Sequence, residues 1–507
     1  MYKDTSDTFL QRLTGFIGSR RFFHLIIIAF ALQALWIALS GKYPMAFDED
    51  FHLGVIRLYA HHLSPFWSSH PAGGDAFGAV SRDPSYLYHY FMSFPYRLIS
   101  DLTNNQTVQV IVLRLINIAL LATSLPLFRR LLVKAGASVG LANVCLALFV
   151  LVPIVPLLGA QINYDNLFIP LTALVLLSTV RFSEQLRADH TIPLKTLLQL
   201  VILLLLTSLV KYAFLPIVSA IVVYVAVELY RFWRPSGAWR DARRQFRGMK
   251  PMMRGSLVVG LVLFMGLFGE RYGVNLVRYH EPVPDCGSVL SVQQCSSYGP
   301  WLRDYDLANS KAAGHESPVL FMRSWVYGMW LRSFFAVDGP GTLFQSGGPL
   351  VLPGLVAAAA ATAGVPLVVI YWRRLFSRSN RPVLGLIGAV SLTYIVVLWL
   401  NAFAAFGRTG QPVAINGRYL LPVLLPIMLV VGMAYREWLR NHPNLKAAGA
   451  VILIVCFVWG GGALTYILRS NDAWYWPSPV VHTANHVVKR TFGPLTPGND
   501  YPAEFLQ

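Results

Sequence analysis

Apolar residues in this chain come in long, nearly unbroken blocks instead of at the spacing of surface helices or strands. Eleven blocks stand out, at about 22–40, 107–128, 138–159, 166–181, 196–211, 213–230, 255–272, 348–372, 383–403, 419–435 and 447–468. Each approaches the roughly 20 residues that a helix needs to cross a bilayer. The pair 196–211 and 213–230 is short and split by Lys211-Tyr212, so it reads as two spans or as a re-entrant hairpin. The blocks predict an all-α polytopic membrane protein, a bundle of about eleven spans forming a single transmembrane domain over 1–507.

Two long polar stretches, 41–106 and 273–346, and a tail, 469–507, lie between and after the blocks. Their own periodicity predicts helices lying along the membrane surface. One covers 50–63, with Phe51, Val55, Leu58 and Ile56, Tyr59, Leu63 as its apolar positions. A second runs from Pro84 to Ile99. A third runs from Val319 to Val337, where Arg323 and Arg332 argue against a span. In the tail, Trp474-Tyr475-Trp476-Pro477 suits an interfacial aromatic belt.

Composition agrees with this picture. Of 507 residues, 55% are hydrophobic and 13% charged, which excludes a string of soluble domains. No small-residue cleavage site follows the first block, so it reads as a span and not as a cleavable signal. The net charge of +18 raises the question of nucleic acid. Its distribution answers it. The N-terminus and the segments 129–137, 181–195, 228–254, 373–381 and 436–446 hold 25 Lys/Arg against 7 Asp/Glu, and the rest of the chain holds 17 of each. The basic excess therefore sits on one alternating set of loops, as a topology signal does. The run containing Arg240, Arg243, Arg244, Arg247 and Lys250 belongs to that set and faces anionic lipid, with no nucleic-acid partner expected. The same pattern puts the N-terminus in the cytoplasm, and the long loops and the C-terminus outside.

Four cysteines occur. Cys145 and Cys456 fall inside apolar blocks and suit packing. Cys286 and Cys295 flank a short polar loop on the outer side, where a disulfide is expected.

Candidate chemistry begins with Asp48-Glu49-Asp50, three consecutive carboxylates just past the first block. Charge at a membrane border must be solvated, paired or used. A general base that deprotonates a hydroxyl needs such a carboxylate, tuned by a neighbouring acid. His52 can face Asp48 across one helical turn, and His61 and His62 follow about two turns later. A divalent metal held by Asp48, Glu49 and Asp165 is a weaker alternative, because no spacing here is diagnostic. A merely solvated acidic loop is the remaining one.

Asp165 lies between two spans with almost no loop, and serves as a helix N-cap, as a site acid, or as both. Lys211 interrupts an apolar pair. It either snorkels to the interface or holds phosphate as a point charge. Arg418 and Tyr419 open the tenth block, with Arg408 ten residues earlier. An arginine there, beside a helix N-terminus, can hold phosphate bidentately. Acids for an acceptor and cations for a phosphate thus fall on one predicted face. Such equipment suits sugar transfer from a polyprenyl-phosphate carrier, and no nucleotide-binding loop is present.

The ordered set of short motifs resembles the GT-C class of integral membrane glycosyltransferases. Asp48-Glu49-Asp50-Phe51-His52 resembles the class's acidic motif, and Leu87-Tyr88-His89-Tyr90 its Pro-Leu-Tyr-Tyr helix. Arg114-Leu115-Ile116-Asn117, Asn163-Tyr164-Asp165-Asn166-Leu167 and Val210-Lys211-Tyr212 resemble three further elements. Gly417-Arg418-Tyr419 with Pro422 resembles a Gly-Arg-Tyr-x-x-Pro motif of an uncharacterised bacterial branch. The resemblance implies a lipid-phosphate-sugar-dependent transferase of the bacterial cytoplasmic membrane that delivers to a glycan, lipid or protein acceptor. It implies Asp48 as the base with Glu49 as its partner and Asp165 as a further catalytic residue, and Asp50, His52 and His89 as support. It also implies Lys211, Arg418, Tyr419 and Arg408 around the donor phosphate. A transporter or flippase for a lipid-linked substrate is the competing expectation. It would bury charges at mid-membrane, often with inverted repeats, and no repeat is found here. A non-catalytic envelope-assembly subunit is a third, and it would tolerate loss of Asp48.

Overall fold

A computed structural model of the chain describes residues 4–46, 48–233, 238–310, 317–334, 352–376, 381–413, 415–470 and 472–495. Among the described residues there is no β-strand, and the fold is all-α. Among the described residues, nine helices are long and apolar enough to cross a membrane: Arg20–Ser40, Gln106–Lys134, Asp165–Asp189, Tyr212–Phe232, Pro251–Tyr279, Leu352–Phe376, Pro382–Thr409, Gly417–Trp438 and Pro443–Arg469. Two shorter apolar helices, Val139–Leu151 and Leu194–Val210, fall on the remaining predicted blocks. The protein is thus a polytopic membrane protein.

Helices and blocks differ mainly where polar pairs carry a helix past its apolar stretch. Asp165–Asp189 continues beyond residue 181 because Arg187 donates to both oxygens of Glu228, at 2.6 Å each. Two spans are broken for local reasons. Val139–Leu151 ends before Pro153, whose ring removes a backbone donor, and resumes as Ile154–Gly159. Pro443–Arg469 is interrupted before Gly462, which sits at φ +57° with Gln33 Oε1 where a Cβ would go. That oxygen accepts from the Ala463 N–H at 3.0 Å. The split at Lys211-Tyr212 is a single 3₁₀ turn, Tyr212–Phe214, between two helices.

Alternation through these eleven segments puts the ends near Asp48, Asp165, Lys211 and Arg418 on one face. Contacts among those residues, given below, agree with this. The stretch 41–106 forms two helices on that face, Glu49–Ala60 and Leu87–Leu102, close to the predicted 50–63 and 84–99. They pack through Leu53, Ile56, Tyr59, Leu87, Tyr88 and Met92, all buried. The segment between them is clamped from below. Arg82 donates to Glu270 Oε1 and Asn275 Oδ1, each at 2.8 Å, and buried Arg271 reaches the carbonyls of Ser81 and Pro65.

The helix predicted from Val319 forms as Pro318–Phe334, and residues 335–337 lie outside the described residues. Its Phe321, Trp325 and Met329 are buried against Ala402, Phe406 and Ile415, while Val319, Leu320, Val326 and Tyr327 are exposed, so one face packs on the protein. The aromatic belt of the tail is corrected. Trp474 and Tyr475 are buried, because Lys42 N–H donates to Trp474 O at 2.6 Å and Trp476 N–H to Ser40 O at 3.0 Å. The tail straps the end of the first span instead of facing lipid. Cys286 and Cys295 form the expected disulfide, with Cys145 buried and Cys456 half-buried as free thiols.

Candidate active site

Asp48 stands at the N-cap of Glu49–Ala60 but does not cap it with its side chain. Its backbone is left-handed, at φ 64° and ψ 33°, a conformation uncommon for L residues that Asp adopts more readily than most. The carboxylate is thereby turned away from the helix and toward Arg418, whose Nη2 donates to Oδ2 at 2.7 Å. The Asp48 side chain is 56% exposed and that of Arg418 only 6%. The pair therefore has an open acid and a sunken cation.

Glu49 behaves differently from its neighbour. Its carboxylate is wholly buried and accepts from Arg114 Nε and Nη2, at 2.8 and 2.7 Å. It also accepts the N–H groups of Met45 and Ile162, at 2.8 and 3.2 Å. Arg114 in turn donates Nη1 to the carbonyls of Ala38 and Gly41. One buried ion pair thus fastens the end of the first span, the acidic loop, the second span and the segment before Asp165. Both oxygens of Glu49 are engaged in that fastening, which gives the expected catalytic residue a structural role.

Asp165 begins its helix without capping it. Its own N–H is accepted by Asn163 Oδ1 at 2.9 Å. Its Oδ1 meets Lys211 Nζ at 2.5 Å, and both side chains are buried. The second oxygen, Oδ2, is buried without a hydrogen-bond partner among the described residues. Lys211 is held inside an aromatic collar, its Nζ 4.5 Å from the Tyr164 ring centre and 5.2 Å from that of Tyr419. The Arg418 guanidinium lies 5.3 Å from the same Tyr419 ring. Tyr419 thus links the two cations. Arg418 reaches this position because Gly417 lets the backbone approach the helix Pro318–Phe334. A Cβ at Gly417 would lie 2.2 Å from Ser333 Oγ. Asn416 Oδ1 caps the turn by accepting from Arg418 N–H at 3.0 Å.

The motif asparagines form the floor. Asn117 Oδ1 accepts from Tyr88 Oη at 2.8 Å and from Asn166 Nδ2 at 3.1 Å. His52 and His89 sit above them, their rings stacked and His52 Nδ1 2.8 Å from His89 Nε2. Burial pushes His52 well below the usual histidine range and His89 down to about 3, so the pair is neutral. They support the helix carrying Asp48 without reaching it.

Other expected residues stay outside. Arg408 is exposed on the last turn of its helix, and among the described residues no hydrogen bond or ion pair joins it to this cluster. Asp50 is exposed, and Arg57 on the same helix donates to Tyr96 Oη at 3.2 Å. His61 and His62 are exposed at the far end of the helix. Among the described residues, Asp48, Glu49 and Asp165 do not come together as one group of ligands; each faces a different cation.

Tyr298 and Asp83 were not singled out from the sequence. Tyr298, three residues past Cys295, lies against Phe51 with ring centres 5.9 Å apart. Burial, and then the charge of Asp48, hold its phenol protonated far above the ordinary range. Burial likewise raises Asp83, whose Oδ1 accepts from Ser85 N–H at 2.8 Å. Ser85 Oγ accepts from Tyr212 N–H at 3.0 Å, which ties this acid to the Lys211 turn. Only the position of Tyr298 just after a disulfide loop hinted at its place.

No protein-family model matches the chain, and no curated protein matches it. Among solved structures, the chain is similar to the crystal structure of ArnT from Cupriavidus metallidurans bound to undecaprenyl phosphate. The identity is 13%, over 94% of this chain and 70% of that one, with a TM-score of 0.42. A likeness that slight assigns neither reaction nor substrate here, so function rests on the site.

Proposed function

We propose that this protein is a GT-C-type glycosyltransferase that moves a sugar from a polyprenyl-phosphate carrier to a cell-envelope acceptor at the outer face of the cytoplasmic membrane. The supporting observation is the pairing of Asp48 with Arg418 and of Asp165 with Lys211, joined through Tyr419. Two acids and two cations meet at one face, one acid open to solvent and both cations sunken.

Chemistry follows from that asymmetry. A donor phosphate competes with carboxylate for Arg418, since both bind a guanidinium through paired oxygens. Occupation by phosphate releases Asp48, so the base becomes free when the donor is in place. Asp48 then takes the proton of an acceptor hydroxyl as its oxygen attacks the anomeric carbon. The bond from that carbon to the phosphate oxygen breaks, and its electron pair leaves with the phosphate. Arg418 and Lys211 stabilise the departing charge. One direct displacement inverts the anomeric centre. Asp165 aims Lys211, while Glu49 and Arg114 fix the loop. The acceptor is a hydroxyl of a glycan, lipid or protein, and a polar, partly open site suits all three.

Native mass spectrometry of the purified protein tests the donor class. The expected result is a co-purified lipid of polyprenyl-phosphate mass, lost in Arg418→Ala and Lys211→Ala. Retention of ordinary phospholipids alone, identical in wild type and variants, would contradict it.

A further inference from the structure

Outside the site, the structure assembles a second group of metal-ligating side chains. His482 and His486 lie one turn apart on the helix Pro479–Phe492, so both rings project from one side. Asp472 lies on the short turn before it. His486 Nε2 is 3.0 Å from both Asp472 oxygens, and His482 Nδ1 is 3.7 Å from Oδ2. All three ligand atoms fall within 4.8 Å of one another. Two ligands on a zinc ion at tetrahedral angles stand roughly 3.3 Å apart, given metal–ligand bonds of about 2.0–2.2 Å. Small side-chain rotations therefore suffice to close the set.

The carriers of these ligands are fixed independently of one another. The helix is pinned to the first span by Trp36 Nε1, which donates to buried Asn485 Oδ1 at 3.0 Å. The Asp472 turn is pinned by the backbone bonds that join Trp474 and Trp476 to Lys42 and Ser40. The Tyr475 ring steadies His482, with centres 5.7 Å apart. The neighbouring cation, Lys489, donates to Ser470 O.

We propose that Asp472, His482 and His486 bind one divalent transition-metal ion, zinc being the best fit to two imidazoles and a carboxylate, with water completing the shell. Two nitrogens and one oxygen select against magnesium and calcium, which prefer oxygen alone. The ion clasps the last helix to the strap that holds Ser40–Lys42, the segment leading into the acidic loop. This site is separate from the transfer chemistry and takes no part in it.

The test uses full-length protein without a polyhistidine tag, stripped with chelator and purified in detergent. Calorimetric titration with zinc chloride is expected to show one saturable equivalent. The thermal midpoint should rise with zinc and stay unchanged with magnesium chloride. Asp472→Asn and the double variant His482→Gln/His486→Gln should each weaken binding at least tenfold and abolish the rise. Cobalt substitution gives an independent readout, a visible spectrum of nitrogen ligation in wild type that the double variant lacks. An adventitious ion only, bound equally by wild type and double variant, overturns the proposal. So does the absence of any saturable zinc binding by wild type.

Discussion

Arg418 donates from Nη2 to Asp48 Oδ2 at 2.7 Å, across 370 residues of sequence. The acid belongs to the loop after the first span and the cation to the turn opening a span near the C-terminus. Their meeting couples the residue proposed to bind the donor with the residue proposed to act as base. If phosphate displaces Asp48 from Arg418, loss of the arginine weakens donor binding by the worth of a charged hydrogen bond. That is about 1.5–3 kcal/mol, on the order of ten- to a hundredfold in affinity. Arg418→Lys should also bind less tightly, because a point charge does not reproduce the guanidinium fork. Titration of a polyprenyl-phosphate sugar into each purified variant measures this.

Glu49 is expected to matter for folding more than for chemistry. Removing one partner of a buried ion pair leaves the other charged and unpaired, at a cost of about 3–5 kcal/mol. Glu49→Gln should therefore lower the thermal midpoint in detergent sharply. Asp50→Asn, on the exposed carboxylate next in sequence, which has no ion pair among the described residues, should shift stability by no more than about 0.5 kcal/mol. Equal midpoints for the two variants would contradict that structural role.

The disulfide closes a loop with a sequence separation of 9, beside Tyr298. By chain entropy a loop that short contributes roughly 2–3 kcal/mol. Paired Cys286→Ser and Cys295→Ser substitution should lower the midpoint accordingly and loosen Tyr298 over Phe51. Non-reducing peptide mapping of protein from its native membrane should recover the bridged peptide.

His52 and His89 predict a pH dependence. Both are held neutral by burial, His52 well below the usual range and His89 at about 3. In the unfolded chain each takes a proton as pH falls through about 6.5. Between that value and the folded one, the unfolded state holds more protons, so stability falls as pH falls. The slope approaches about 1.4 kcal/mol per pH unit for each histidine fully neutral in the fold. Thermal midpoints between pH 7.5 and 5 should show this drop in wild type and a shallower one in His89→Gln, which keeps a polar group but does not titrate.

Much of the fold was legible because hydrocarbon-length apolar blocks admit few alternatives. Asp48, Asp165, Lys211 and Arg418 could be placed on one face from charge alternation alone. Their partners could not. Asp165–Lys211 and Asp48–Arg418 join distant helices, and nothing local to either residue announces the other. Glu49 shows the limit most clearly. Adjacent to Asp48 in sequence, it points into the protein because the helix begins between them and turns their side chains apart. The tail was misplaced for a similar reason. Trp474 and Tyr475 have the composition of a membrane border, yet backbone bonds to Ser40 and Lys42 draw them inward.

The most direct test of the account is sugar transfer from a polyprenyl-phosphate sugar in nanodiscs, comparing wild type with Asp48→Asn. The substitution keeps the side chain's shape and removes its basicity, and loss of a general base typically slows a reaction about a hundredfold to ten-thousandfold. The account predicts a loss of that size with donor binding retained, and an inverted anomeric centre in the wild-type product. Transfer by Asp48→Asn at the wild-type rate, or a product with the donor's anomeric configuration, would contradict it.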